Sequence, residues 1–367
     1  MRVLAIHSSN DMYGSDRVFL QSLIALHQDG HEITAWLPAD APAGVTSLAE
    51  ELERRGIEVR VLEMPVFRRR YLTPRGALGL ARRSVVSIRA LRQGQFDAVY
   101  LGTSALAPLS VLARIFTSAR ILVHVQELWT GAEGRILGWL LETAHHRVAI
   151  SESVKESTGH RSSKNTTVVV NAVVDPGRVD PPRPKRELTF LVASRWNAWK
   201  GHDVLLAAWQ HARPAGSTLL IAGAPPALGE SFDVRAAVAA LPDPASATVV
   251  GEVADISDLI TAADVVIVPS SSPEPFGLVA AEAFALSRPV IASDAGGLAD
   301  VVTSGVNGYL FPIGDAVALS DALISATRAD LEAMGRAARA TYDERFGMAR
   351  YHDEFLKAWM RSMPRAR

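Results

Sequence analysis

The chain has 367 residues, and division by roughly 150 residues per domain gives a prior of two domains. Hydrophobic residues make up 48% and charged residues 21%, which argues against disordered and fibrous architectures. Lys and Arg number 38 against 39 Asp and Glu, a net charge of −1, so no nucleic-acid partner is expected. The absence of cysteine excludes a disulfide scaffold, a thiolate nucleophile and thiolate-held zinc or iron–sulfur groups, and it fits a reducing cytosol.

The opening run Met1–Ile6 is too short for a signal peptide and is ended by His7-Ser8-Ser9-Asn10. The longest apolar stretch, Leu101–Phe116, contains Pro108 and Arg114, so no membrane-spanning segment is expected. Val3–Ser9 reads as the first strand, and Asp16–Asp29 as a helix with Val18, Leu20, Leu23, Ile24 and Leu26 apolar. Strand Glu32–Pro38, helix Val45–Arg55, strand Ile57–Met64, helix Pro74–Arg92 and strand Phe96–Gly102 follow. Helix Leu106–Phe116, strand Arg120–Glu127, helix Gly134–Ala144 and strand Arg147–Ile150 complete the first series. Pro181-Pro182-Arg183-Pro184-Lys185 is a stiff polar segment suited to an interdomain linker.

The alternation then restarts with strand Leu188–Ser194, helix Asp203–Ala212, strand Thr218–Ala222 and helix Val234–Ala240. Strand Ala247–Val253, helix Ile256–Ala262, strand Asp264–Pro269, helix Phe276–Leu286 and strand Val290–Ser293 continue it. Helices Val317–Arg328, Leu331–Arg345 and Met348–Met360 close the chain. Such βαβ alternation predicts an α/β protein with parallel sheets, here two Rossmann-like domains over 1–180 and 181–345. Residues 346–367 read as a C-terminal helix packing back on the first domain. Ligands of open α/β sheets sit beyond the carboxyl ends of the strands, so two such domains facing each other would form a cleft.

The stretch from Pro269 to Glu282 holds the densest chemistry. A buried-type strand, Val265–Val268, ends in a Ser/Pro loop carrying Glu274, and a helix starts with Gly277 in its first turn. Free N–H groups of Phe276, Gly277 and Leu278 at such a helix start suit a phosphate. Glu282 lies among alanines on an otherwise apolar helix, where a carboxylate is costly without a partner. The bland alternatives are a solvated loop acid for Glu274 and a core acid bonded to backbone for Glu282. Arg195 and Lys200, between a strand and a helix, can converge on a diphosphate as a bidentate fork and a point charge; solvated loop cations are the alternative. Gly14, in Met12-Tyr13-Gly14-Ser15-Asp16-Arg17 after the first strand, allows close backbone approach to a phosphate or sugar.

With Gly296-Gly297-Leu298-Ala299-Asp300-Val301-Val302 and Gly305-Val306-Asn307-Gly308-Tyr309-Leu310-Phe311-Pro312 downstream, these features resemble the family 4 retaining glycosyltransferases of the GT-B fold. The resemblance covers essentially the whole chain and is strongest from Val192 to Pro312. Gly30-His31-Glu32, Phe96-Asp97-Ala98 and Ala149-Ile150-Ser151-Glu152-Ser153 extend it into the first half. It implies an acceptor-binding first domain and a second domain that binds a nucleotide sugar, the two sheets facing an interdomain cleft. Carried over by residue, it implies that Arg195 and Lys200 hold the donor diphosphate and that Glu282 accepts from the ribose hydroxyls. Glu274 would contact the transferred sugar, and the Phe276–Leu278 amides would bind sugar or diphosphate. The resemblance further implies retention by front-face return through an oxocarbenium-like transition state, with fixed cations stabilising the departing diphosphate.

Many family members carry a His near the sugar after a strand of the first domain. In Leu122-Val123-His124-Val125-Gln126-Glu127 that register falls on His124 or Gln126, which share a strand face. His124 is therefore a candidate beside the donor, and Gln126 and Glu127 are candidates for the acceptor. No Asp-x-Asp occurs, and His145-His146 is an adjacent pair at a helix end without metal-helix spacing, so no metal or other cofactor is expected.

Arg68-Arg69-Arg70, Arg75, Arg82-Arg83, Arg89 and Arg92 form a basic stretch, with no acid between Val66 and Gly94. Helix Pro74–Arg92 has Leu78, Ala81, Val85, Ile88 and Leu91 on one stripe. The stretch reads either as a solvated face or as a surface for anionic lipid or an acidic glycan. The expectation is a cytoplasmic enzyme, peripheral at the inner face of the membrane through Arg68–Arg92. It would move sugar from a UDP- or GDP-linked donor to a glycan, lipid-linked or small-molecule acceptor. A GT-B sugar-nucleotide epimerase and a catalytically silent nucleotide-sugar-binding subunit are the alternatives.

Overall fold

A computed structural model describes the chain apart from residues 41–46, 69–73, 160–163, 184, 186, 213, 227–229 and 364–367. The expected helix start at Val45, Arg69 and Arg70 of the basic run, the Arg75 side chain and Pro184 lie outside the described residues.

Among the described residues there are two parallel sheets. The first contains β1 (Arg2–Ile6), β2 (Glu32–Pro38), β3 (Glu58–Leu62), β4 (Ala98–Leu101), β5 (Arg120–Val125), β6 (His146–Ala149) and β7 (Thr166–Val168). Their order is β3-β2-β1-β4-β5-β6-β7. Val3, Leu4, Ala5 and Ile6 of β1 are fully buried, as are Ala98 to Leu101 of β4, because helices cover both faces. The edge strand β3 reads Glu58-Val59-Arg60-Val61-Leu62 and keeps its charges in solvent, which discourages pairing with another chain.

The second sheet contains β8 (Thr189–Ala193), β9 (Thr218–Ala222), β10 (Ala247–Gly251), β11 (Val265–Val268), β12 (Val290–Ser293) and β13 (Gly308–Phe311), in the order β10-β9-β8-β11-β12-β13. In both sheets the strand order reverses once, between β1 and β4 and between β8 and β11. Those reversal points are where open α/β sheets bind ligands.

The chain divides into a first unit, Met1–Asn171 with Ala349–Arg367, and a second unit, Ala172–Met348. The division falls before the expected 180/181 boundary because the segment ahead of the prolines is bonded to the second unit. The Val173 N–H donates to the Phe346 carbonyl at 3.1 Å, and the Tyr342 hydroxyl donates to the Val173 carbonyl at 3.1 Å. Asp175 pairs with Arg339 at 2.7 Å, and Arg288 donates to the Asp180 carbonyl at 2.8 Å.

The helix Met348–Ser362 supplies core to the first unit. Tyr351, Phe355 and Trp359 are buried; the Tyr351 hydroxyl lies 2.7 Å from Ser22 Oγ, and Trp359 Nε1 donates to His31 Nε2 at 3.0 Å.

Candidate functional site

The apolar run of β8 ends at Ser194, and the loop after it carries Arg195 and closes in a short 3-10 turn, Ala198–Lys200. Gly201 follows in the left-handed region, φ 71°, and a Cβ there would sit 1.8 Å from the Pro269 carbonyl oxygen. Only glycine lets this loop lie so close to the end of β11. The Ser271 N–H donates to the Trp199 carbonyl at 2.8 Å across the same junction.

Lys200 and Glu274 meet there. Lys200 Nζ donates to Glu274 Oε1 at 2.5 Å, and Ser270 Oγ donates to the same oxygen at 2.6 Å. Glu274 is buried, with 8% of its side chain exposed against 19% for Lys200, whose ammonium also lies 4.1 Å from the Trp199 ring centre. A third loop, following β12, holds the Glu274 backbone: the Gly297 N–H donates to its carbonyl at 2.7 Å. At Gly296, φ 62°, a Cβ would stand 2.2 Å from that carbonyl.

Several polar atoms end at this edge without a hydrogen-bond partner among the described residues. Ser271 Oγ follows β11, Ser293 Oγ ends β12, and Asn197 Oδ1 and His202 Nδ1 follow β8. Buried polar atoms are rarely left unpaired, so this edge has the chemistry of a polar-ligand seat. His202 Nε2 lies 3.4 Å from Ser194 Oγ; burial, with the Lys200 cation beside it, pushes its pKa down to about 4 and keeps it neutral.

The helix after Glu274 runs Leu278–Ala285, starting two residues later than expected because Gly277, φ 99°, sits outside it as the cap. Leu278 and Glu282 are four residues apart on its partly exposed side, while Ala280, Ala281, Ala283 and Phe284 face the core. The Phe276 ring is buried against Phe346, 5.8 Å between centroids, so only its backbone is placed for a ligand. Arg195 is exposed on the loop that carries Lys200.

In the first unit, Gly14 begins the helix Gly14–Gln28. The loop before it is gathered by Asp16, which sequence reasoning missed. Its carboxylate accepts from Ser9 Oγ at 2.5 Å and from the Tyr13 N–H at 3.1 Å, and lies 3.1 Å from His7 Nε2. The available signal was polar residues directly after an apolar strand, with an acid in the first helical turn. Gln126 is buried and donates through Nε2 to the carbonyls of Gly102 at 2.8 Å and Ser15 at 3.3 Å. Glu127 accepts from the N–H groups of Ser104 and Gln126, each at 3.2 Å, and burial pushes its carboxyl pKa up.

His124 departs from its expected place. It is fully buried within β5, with Nδ1 2.8 Å from the Tyr100 hydroxyl and its ring stacked on Phe355. Burial, with His7 nearby, lowers its pKa to about 3, so it is a neutral core residue of the first unit. His145 and His146 lie at a strand start: His146 opens β6 and its Nε2 is 2.9 Å from Thr167 Oγ1.

Residues 187–328 match the family model described as glycosyl transferases group 1, and residues 14–170 match the glycosyl transferase 4-like domain. The chain belongs to the family 4 glycosyltransferases. It is 31% identical over 229 residues to the D-inositol 3-phosphate glycosyltransferase of Mycolicibacterium smegmatis, covering 56% of this chain and 49% of that one. It is 44% identical over 69 residues to the phosphatidyl-myo-inositol mannosyltransferase of Mycobacterium leprae, covering 19% of this chain and 18% of that one. The chain thus spans about half the length of these relatives or less. The crystal structure of Anabaena HepE in complex with UDP and glucose has the same GT-B fold, with a TM-score of 0.79, 22% identity and coverage of 98% and 99%.

Proposed function

We propose that this chain transfers a sugar from a nucleoside diphosphate sugar, UDP- or GDP-linked, to an acceptor, with retention at the anomeric carbon and without a metal ion. The observation that carries this reading is the Lys200–Glu274–Ser270 cluster at the reversal point between β8 and β11. Bond cleavage places negative charge on the departing diphosphate and positive charge on the sugar. A fixed cation and a fixed carboxylate side by side answer both charges in a site that needs no reorganisation. Lys200 is the point charge for the diphosphate and Arg195 its fork. Glu274 Oε1 carries the bonds from Lys200 and Ser270, so Oε2 is the oxygen proposed to accept from sugar hydroxyls.

Glu282 is proposed to hold the ribose, and the backbone from Phe276 to Leu278 the sugar or diphosphate. Gln126 and Glu127 belong to the first unit, which is proposed to hold the acceptor, a glycan, a lipid-linked sugar or a small molecule, while Gly14 is proposed to bind the donor. A cytoplasmic enzyme working at the inner face of a membrane fits a lipid-linked acceptor, and the M. leprae relative is named for one.

Calorimetric melts with UDP, GDP and ADP test the donor site. Ligand at about a hundred times its Kd stabilises by roughly 2.7 kcal/mol. For a unit of this size that is a rise of roughly 7 °C in the transition of the second unit. No shift with any diphosphate would refute the assignment. Product analysis by NMR then reads the anomeric configuration, and inversion would overturn the retaining mechanism. Conversion of the donor to an epimeric sugar nucleotide without any acceptor would identify an epimerase instead.

A further inference from the structure

The helices Pro74–Gly94, Ala107–Phe116 and Gly131–Leu141 follow β3, β4 and β5 and pack side by side in that order. Right-handed crossovers around the order β3-β2-β1-β4-β5 put all three on one face of the sheet, opposite Gly14–Gln28 and Leu48–Glu53. The helix Met348–Ser362 packs on the opposite layer, through Ser22. The outward sides of the three helices therefore form one continuous surface.

That surface leaves large apolar side chains in water. Leu78 and Trp139 are 75% exposed, Ile115 65%, and Val85 and Ile136 50%. A helix in a globular layer normally turns its apolar stripe inward. Among the described residues of the first helix, the stripe turns inward at Leu91, which is buried, and at half-buried Ile88, while Leu78, Ala81 and Val85 face out.

The same three helices carry seven arginines against a single acid, Glu133. Arg82 pairs with Glu63, and Arg83 is drawn with Arg68 to Asp40. Arg89, Arg114 and Arg135 are exposed beside the apolar residues. An uncovered apolar surface this basic would repel a second copy of itself, and its charge suits an anionic one.

We propose that the outer side of these three helices seats the enzyme on an anionic lipid bilayer. Trp139, Leu78 and Ile115 would enter the headgroup region, and the arginines would bind lipid phosphates. Tryptophan favours that interface because it is apolar with one polar N–H, and guanidinium groups bind phosphate oxygens directly. This moves the contact from the Arg68–Arg92 run, where Arg68 and Arg83 are engaged by Asp40, to a surface shared by three helices. The inference deepens the lipid-linked part of the proposed function and rests on it only for its purpose. Bilayer binding is measured without turnover, so the two fail separately.

The full chain is sedimented with vesicles of phosphatidylcholine mixed with phosphatidylglycerol, and with phosphatidylcholine alone, at low and high salt. The expected result is binding to the anionic vesicles only, weakened by salt. Trp139→Glu with Ile115→Glu should lower it at least about tenfold. Each basic residue near an anionic surface changes partitioning about fivefold, so Arg89→Glu with Arg135→Glu should lower binding by more than roughly tenfold. The arginine pair changes only exposed groups, and an unchanged melting transition is the control for folding in both variants. Absence of the wild type from both pellets, salt-independent binding to neutral vesicles, or wild-type binding by both variants would overturn the proposal. So would a change from oligomer to monomer in ultracentrifugation with no effect on vesicle binding, which would assign the face to a protein contact.

Discussion

Lys200→Met and Glu274→Gln, made singly and together, should reveal the ion pair as an energetic unit. At 2.5 Å and an effective dielectric of about 20, the attraction is on the order of 7 kcal/mol before desolvation is counted. With only 8% of the Glu274 side chain and 19% of the Lys200 side chain exposed, desolvation cancels much of that. Lys200→Met leaves a buried carboxylate with Ser270 as its remaining side-chain donor and should cost about 3 kcal/mol. Glu274→Gln leaves a more exposed ammonium and should cost about 1 kcal/mol. The double variant should cost less than the sum of the two by about 2 kcal/mol. The second unit spans Ala172–Met348, and a unit of that size melts about 8 °C lower for a loss of about 3 kcal/mol. Differential scanning calorimetry measures this on the transition of the second unit. Lys200→Met should also weaken binding of the nucleoside diphosphate far more than that of the nucleoside. Losses that add within about 0.5 kcal/mol would refute the coupling, and equal losses for the two ligands would remove Lys200 from the diphosphate.

Glu282→Gln should mainly raise the donor KM, by the value of one or two charge-assisted hydrogen bonds at about 1.5–3 kcal/mol each, while Glu274→Gln should fall mainly on kcat; steady-state kinetics showing the reverse would exchange their roles. EDTA should leave most activity intact, and complete loss restored by Mn²⁺ or Mg²⁺ would sink the metal-free mechanism. Burial lowers the pKa of His124 to about 3 against an ordinary value of 6.5, so the folded state binds fewer protons than the unfolded chain between these values. This contribution is present above pH 6.5 and is lost as pH falls towards about 3, with a slope of at most roughly 1.4 kcal/mol per pH unit. Melting scans of His124→Gln should show a shallower acid slope for the first unit; an unchanged slope would refute the assignment.

Much of the fold could be read from apolar runs, because parallel strands buried on both faces announce themselves without alternation. Glu32–Pro38, Thr218–Ala222 and Val290–Ser293 have the expected ends in the structure. Strand β7 escaped notice because Thr166–Val168 is too short for a period to show, and β13 because Gly308–Phe311 starts on a glycine inside the turn-type run Gly305-Val306-Asn307-Gly308. At the candidate site, residue types pointed to Lys200 and Glu274, but their contact depends on Gly201 and Gly296 allowing three loops to converge. Ser270 and Asp16 were invisible for a related reason: each acts through a partner fixed by tertiary packing. The strand period put His124 and Gln126 on one face, yet His124 is a core ring within β5 and Gln126 is a buried amide just past the strand's end.

The two-part composition of the first unit has a consequence for the order in which the chain acquires structure. Residues 172–348 form a contiguous body whose six-stranded sheet needs nothing from outside that range. The first unit, by contrast, waits for Tyr351, Phe355 and Trp359, which leave the ribosome only after the whole second unit has been made. Until then Ser22, His31 and the Tyr100–His124 layer lack their cover, leaving a greasy groove on a nascent intermediate. The half synthesised first is thus the half completed last, and a released chain truncated after residue 348 should protect the second sheet from protease while its first sheet remains cleavable.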